Sequence, residues 1–291
     1  MVKLSIFHSA NKLETRNARK PKLKIQFQNF AMTSPLDASY KDSRGQTALH
    51  IAARQGDVEA VQLLLADERV DANHSDKTGF TALMHAAGEG HEKVTELLLA
   101  DERVDVNKVD KFGRTALMYA AHEGHEKVVK LLLADLRVSV NSVNENDVSA
   151  LRYAVNRGHD KIVQLFLADQ RVEVNNSNNS VLSVLLGAAA EGHQKIVELL
   201  LADPRVDVNQ RDDVGNTALI CAVRTRHEQV MELLLTDPRV DVNSIDGAGW
   251  SALHYAVILN HVGMVGKLLD HPDINLDVNN IEGESVEELA R

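Results

Sequence analysis

Histidine is the first residue type in this sequence whose number and spacing suggest chemistry, with 13 copies in 291 residues. Six of them, His91, His125, His159, His193, His227 and His261, recur in a column every 34 residues. Imidazole binds zinc at about 2.0–2.1 Å, whereas equivalent positions in stacked helical layers lie roughly 8–10 Å apart. Neighbours in the column therefore cannot easily share an ion. The stretch His122-Glu-Gly-His125-Glu126 approaches the zinc-protease motif, but its second His comes one position too early for two ligands on adjacent helical turns. The column reads instead as hydrogen bonding at helix starts, and no metal or other cofactor is expected.

Charge supplies a second regular column. Asp67, Asp101, Asp135, Asp169, Asp203 and Asp237 are each followed two residues later by an arginine, Arg69 through Arg239. Such a strip can dock a charged partner, or it can be a ladder of ion pairs and loop hydrogen bonds copied because the unit is copied. Exposed pairs are worth roughly 0–1 kcal/mol each, so the ladder reading makes it a modest contributor. Cys221 is the single cysteine and has no base patterned around it; it shares a column with Ile51, His85, Tyr119, Tyr153 and Tyr255 and reads as a packed small side chain. A lone cysteine makes no intramolecular disulfide, which points to a reducing compartment. No phosphate-cradling glycine loop or nucleophile elbow occurs. The chain offers no catalytic residues and is not expected to be an enzyme.

Position in the repeat decides what these side chains can do. Heptapeptides beginning at Thr47, Thr81, Thr115, Ser149, Ser183, Thr217 and Ser251 (TALHIAA, TALMHAA, TALMYAA, SALRYAV, SVLLGAA, TALICAV, SALHYAV) start 34 residues apart each time, and the next step lands on Ser285. A hydroxyl residue opens each unit as an N-cap for a short helix, and residues such as Ala48, Leu49, Ala52 and Ala53 give that helix one small apolar face. Gly56, Gly90, Gly124, Gly158 and Gly192 stand where a left-handed residue ends it. A second helix follows, for example from His91, with Val94, Leu97 and Leu98 on its buried side. Next comes an alternating extended segment, Arg103 to Asn107, and a tight turn at Asp110 to Gly113. Helices this short are marginal alone in water, so each unit needs its neighbours' surfaces.

The pattern D-x-x-G-x-T-A-L-x-x-A-A-x-x-G-H-E-x-V-x-x-L-L-L resembles the ankyrin repeat, with Ala in place of the usual Pro of the first helix and one extra residue after the second. The resemblance covers 33–291. It implies an all-α, ankyrin-type helical solenoid with hairpin-like turns: seven 34-residue repeats (about 42–75, 76–109, 110–143, 144–177, 178–211, 212–245 and 246–279) and a partial eighth, 280–291. Residues 1–32 form a basic N-terminal extension. The resemblance further implies a protein–protein interaction module, acting as scaffold, adaptor or inhibitor, that binds its partner on the concave face. Asp147 and Val181 occupy turn-glycine positions, so the fourth and fifth turns are expected to be distorted and the middle of the array to be soft. Arg226 and Asn260 replace inter-helix glycines.

Positions that the repeat grammar leaves free are the candidates for partner binding. At the turn tips these are Phe80, Phe112, Arg114 and Trp250; before the inter-helix glycine they are His122, Asn156, Arg157, Arg224, Ile258 and Leu259. Aromatics and arginine are over-represented among binding hot spots, although exposed single residues of this kind are also ordinary. The seventh unit allows a second reading, in which Ile281 and Leu289 cover its apolar residues and Trp250 caps the array.

Net charge narrows the partner. The chain carries −10 formally; residues 1–30 hold seven Lys/Arg against Glu14, or +6, which leaves 25 basic and 41 acidic residues, or −16, in the remainder. An acidic body disfavours phosphate backbones, so a protein partner of basic surface is expected rather than nucleic acid, a membrane or a small-molecule substrate, and the array is expected to be a monomer. The leader is open to three readings: nuclear import signal, mitochondrial presequence, or a tail that is inert or pairs with the acidic array. With no secretory signal, an intracellular location, cytoplasmic or nuclear, is expected. The rival function is a targeting or regulatory subunit for an enzyme or a nucleic-acid-associated complex, with the leader as import signal.

Overall fold

The computed structural model describes residues 39–175 and 183–291. The basic leader and the Val181 turn lie outside the described residues. The helices run α1 (Ala48–Gln55), α2 (Val58–Leu65), α3 (Ala82–Gly88), α4 (Glu92–Ala100), α5 (Ala116–Glu123), α6 (Glu126–Ala134), α7 (Ala150–Asn156), α8 (Asp160–Ala168), α9 (Val184–Glu191), α10 (Gln194–Ala202), α11 (Ala218–Arg224), α12 (Glu228–Thr236), α13 (Ala252–Ile258), α14 (Val262–Leu269) and α15 (Val286–Leu289). Odd-numbered helices stack on one another as a first row, even-numbered helices as a second, and each odd helix packs on the even helix that follows it. Among the described residues, seven helix pairs and one short terminal helix thus form a two-layered all-α solenoid. No strand occurs among the described residues; the turns contribute isolated antiparallel bridges, such as Val143 with Ser149 and Ile245 with Ser251.

Small side chains let the first row close up. Ala52, Ala53, Ala86, Ala87, Ala120 and Ala121 are all fully buried between successive layers. The second row supplies larger groups, Leu98, Leu132, Phe166, Leu200 and Leu234, each with no exposed surface; full burial of a side chain of this size contributes about 1.5–3 kcal/mol. Valines of the alternating segment, such as Val104 and Val106, close the space beneath the turns. The hydroxyl N-caps behave as the spacing predicts: Thr115 accepts from the Met118 amide and Ser149 from the Arg152 amide.

Three polar ladders cross from layer to layer. Asn73 donates from Nδ2 to the Arg103 carbonyl at 2.6 Å and accepts at Oδ1 from the Asp105 amide at 2.7 Å. Asn107, Asn141, Asn175, Asn209 and Asn243 repeat both bonds one unit further on. The Asp–Arg column is the second ladder. Arg103 clasps Asp101, and its Nη2 also donates to the Leu65 carbonyl of the preceding layer at 2.7 Å; Arg137, Arg171, Arg205 and Arg239 do the same to Leu99, Leu133, Leu167 and Leu201. The ladder reading of that column holds, with the addition that the five arginines from Arg103 to Arg239 each tie two layers together.

Histidine is the third ladder, and here the expectation needs correction. His91, His125, His159 and His227 stand at N-caps but make no capping bond with their own helices. Each instead donates from Nε2 to a carbonyl at the end of the preceding first-row helix: Arg54, Gly88, His122 and Ala190 respectively, at 2.9–3.1 Å. The last carbonyls of a helix have no intrahelical partner, and the imidazole is long enough to reach them across the layer.

Backbone geometry explains the room that the imidazole needs. Gly124 has φ +83°, and a Cβ placed there would lie 2.7 Å from Cε1 of His159. Asp147 corrects a second expectation. Its φ of +56° is left-handed, yet its turn keeps the usual bonds, with the Asp147 amide 2.9 Å from the Asn144 carbonyl and the Val148 amide 3.0 Å from Asn144 Oδ1. Aspartate tolerates this region better than most residues, so the fourth turn is not distorted. Arg226 and Asn260 also adopt positive φ, at +64° and +56°.

Each turn opens on a residue that organises it. Asp76 Oδ1 accepts from the Thr78 and Phe80 amides, and its Oδ2 accepts from Gln46 of the previous turn. Burial acts to raise the Asp76 pKa, but these bonds outweigh it and hold the carboxyl at about 2, below the ordinary 3.8. A depressed folded pKa gives stability that is present above the ordinary value and lost as pH falls through the folded one.

Two outcomes are expected. Gly124→Ala lowers stability by about 2 kcal/mol, from left-handed strain and loss of the His159 contact; a urea-midpoint change equivalent to less than about 0.5 kcal/mol, the range of an ordinary surface substitution, would contradict this. Asp76→Asn retains the backbone bonds, as Asn144 does in its own turn, and loses the titration. Between pH 5 and pH 2 its urea midpoint falls less steeply than that of the unsubstituted protein; parallel falls would show that Asp76 does not contribute.

Candidate protein-binding face

The turn aspartates place the tip side chains. Asp110 Oδ1 accepts from the Phe112 and Arg114 amides at 2.9 and 2.8 Å, and Asp246 Oδ1 accepts from Ala248 and Trp250, both at 2.9 Å. The second oxygen of each carboxylate accepts the phenol of a first-row helix at 2.6 Å: Tyr119 for Asp110 and Tyr255 for Asp246. Turn tip and helix are thereby locked together, and the tyrosine becomes the floor on which the tip residues rest.

Phe80, Phe112 and Arg114 converge on Tyr119. The Phe80 ring lies 4.8 Å from that of Tyr119, and the Arg114 guanidinium sits 4.8 Å from both the Tyr119 and Phe112 rings while pairing with Asp110. Phe112 is 57% exposed. Cation–π contacts of this kind are worth about 0.5–1 kcal/mol at exposed sites, enough to hold a presented geometry. One layer further, His122 packs edge-on against Tyr153 at 5.4 Å. It donates from Nδ1 to Glu123 and accepts at Nε2 from Arg157 Nε at 3.0 Å. Burial holds its pKa below the ordinary 6.5 in spite of the Glu123 bond, which keeps the ring neutral and free to accept from an arginine. Asn156 is exposed and takes a bond from Arg152.

A second cluster forms on α11 and α13. Arg224 lies 5.0 Å over the Tyr255 ring and bonds Asn216 Oδ1 at 3.0 Å; Trp250, half-buried, packs on Tyr255 at 5.4 Å and on His254 at 5.9 Å. Burial and the Asp246 bond push the Tyr255 phenol up to about 12, so it stays a donor. Ile258 and Leu259 are exposed at the end of α13, 51% and 37%, and the ring contacts that hold Trp250 do not include them. Ile281 is itself 74% exposed, but its amide donates to the Ala248 carbonyl at 3.1 Å and α15 packs on α13, so the eighth unit covers part of the seventh.

The residues that sequence reasoning missed are the two floor tyrosines, Tyr119 and Tyr255. They were visible as part of a column, but only the turn carboxylates reveal that they carry the tips. Cys221, in that same column, is 8% exposed and burial pushes its thiol up to about 11, which suits packing and not nucleophilic attack. Among the described residues no group of three or more His, Cys, Asp or Glu is arranged to hold a metal ion, and no helix is long and apolar enough to cross a membrane.

Three copies of a family model for ankyrin repeats match residues 25–110, 97–178 and 185–280. No curated protein matches the chain. Ankyrin repeats are in general protein–protein interaction modules and typically not enzymes. The match over most of the chain, together with two stacked rows of paired helices and turns set by aspartate, places this protein in the ankyrin repeat family.

Proposed function

We propose that the array is a scaffold, adaptor or inhibitor that takes a partner protein along the face formed by the first-row helix ends and the turn tips, the concave side of the solenoid. One observation carries the reading: of the ten free positions, five assemble into two arginine–aromatic clusters, Phe80–Phe112–Arg114 on Tyr119 and Arg224–Trp250 on Tyr255, while His122 packs on Tyr153 and pairs with Arg157. Burial of aromatic and arginine anchors inside a polar rim is how protein interfaces concentrate their affinity. The ladder side chains are occupied with layer-to-layer bonds. An overall charge of −10 favours a partner with basic surface, and the same free residues serve whether the array regulates an enzyme or a nucleic-acid-associated complex.

The test is affinity capture of a partner by the full chain, followed by titration against variants. Trp250→Ala is expected to weaken binding by about 2 kcal/mol or more, the usual hot-spot threshold. Its melting temperature should fall by no more than about 2 °C, as for a loss below 1 kcal/mol in a protein of this size. Unchanged affinity with a large loss of stability would make Trp250 a structural cap and confine the site to Phe80 and Phe112.

A further inference from the structure

Arg152 breaks the pattern of its column. The equivalent positions hold His50, Met84, Met118, Leu186, Ile220 and His254, all inward-facing and buried. His50 shows what a polar residue does there: its Nε2 donates to the Phe80 carbonyl of the next turn at 3.0 Å. Arg152 is 8% exposed, and its side chain runs along α7 to donate from Nε to Asn156 Oδ1 at 2.9 Å. Among the described residues that is its one side-chain bond: Nη1 is shut off from solvent and has no acceptor there.

The space for this side chain comes from the next layer. Gly187 occupies the column that elsewhere holds Ile51, His85, Tyr119, Tyr153, Cys221 and Tyr255, all larger side chains. A Cβ on Gly187 would lie 3.3 Å from Arg152 Nε and 3.5 Å from Cζ, so any side chain there crowds the guanidinium. The charge acting on Arg152 is Glu191 on α9, which forms no ion pair with it among the described residues; burial lowers the arginine pKa to about 10. A guanidinium stays protonated in proteins and carries five N–H donors. Buried charges are ordinarily paired, and this one is left with its Nη1–Nη2 edge unengaged. That edge is the fork that a carboxylate matches with two parallel bonds.

We propose that Arg152 is an acceptor site for a carboxylate of the partner, an aspartate or glutamate side chain, entering from the exposed end of α7 beside Asn156 and Arg157. The site lies midway along the first row, with α5 and α9 packed on either side, so a chain lying along that row presents its side chains there and not its terminus. The proposal rests on the reading of this row as the partner-binding face and adds a local acidic requirement, opposite in sign to what the net charge of −10 suggests.

Because the partner is unidentified, the probe is formate, the smallest carboxylate, titrated against chloride at matched ionic strength with the full-length protein. A ligand that binds only the folded state raises its stability by mass action, and the expected result is a saturable rise in Tm of about 2–4 °C, as for a gain near 1 kcal/mol in a protein this size. Arg152→Met removes the charge, keeps an unbranched apolar stem and abolishes the formate response. Gly187→Ala retains the arginine, crowds it, and raises the formate midpoint at least about tenfold, or 1.4 kcal/mol. N-acetylaspartate amide, which has only a side-chain carboxylate, reproduces the formate response. No saturable rise in the unsubstituted protein, or an equal rise in Arg152→Met, overturns the proposal, as does a response confined to N-acetylalanine, whose carboxylate is terminal. The assay uses no partner, so its failure leaves the result of the Trp250 titration standing by itself.

Discussion

Every layer of this protein depends on contact with the next one. A helix pair built on alanine has too little apolar surface to bury by itself, and its buried face is complete only when the following pair is laid against it. The polar ladders obey the same constraint. Asparagine reaches 30 and 32 residues ahead, histidine 37 back and arginine 38 back, and each of these steps works only if the register stays at 34 residues. The bonds satisfy backbone groups that would otherwise be lost at helix ends and in the extended segments. Each contributes on the order of 1 kcal/mol, and their effect is to fix the offset between layers more than to supply bulk stability.

That constraint separates structural from functional residues. Positions committed to stacking repeat with little variation, whereas turn tips and first-row helix ends change character from unit to unit. The arginine–aromatic clusters occupy the varying positions and are held from the turn-opening column, an aspartate or asparagine in each described unit: Asp110 and Asp246 bond both the tip backbone and the tyrosine beneath it. The face is therefore preorganised, which reduces the ordering that binding would otherwise require. Net charge describes the molecule at long range, while the arginines set the local charge of this face. Arg157 and Arg224 on this face have no carboxylate partner among the described residues, in contrast to Arg103, Arg137 and Arg171 on the ladder.

Most of the fold was legible in the sequence because the period repeats local signals: a hydroxyl cap, small residues at helical spacing, and a glycine at the helix end. The histidine column shows the limit of such reading. Its position at the helix start suggested a cap, but the bond goes to another layer, and only the stacked geometry shows which carbonyl lies within reach. Asp147 shows another limit, since the missing glycine suggested distortion while the turn tolerates aspartate at φ +56°. The candidate face was legible as a set of free positions. Its grouping around Tyr119 and Tyr255 was not, because the connecting carboxylates are nine residues away in sequence. Arg152 stood in plain view within SALRYAV, but its unmet donors depend on Gly187, 35 residues later.

The central claim is that the varying first-row surface, and not the ladder surface, meets the partner. The most direct measurement is a hydrogen–deuterium exchange footprint of the full chain with and without captured partner. The account predicts slowed exchange at residues 112–114, 122–123, 156–157, 224–226 and 250, with the outer helices α4, α6, α8, α10 and α12 unchanged. Protection confined to those outer helices, with the turn tips and first-row ends unaffected, would contradict it.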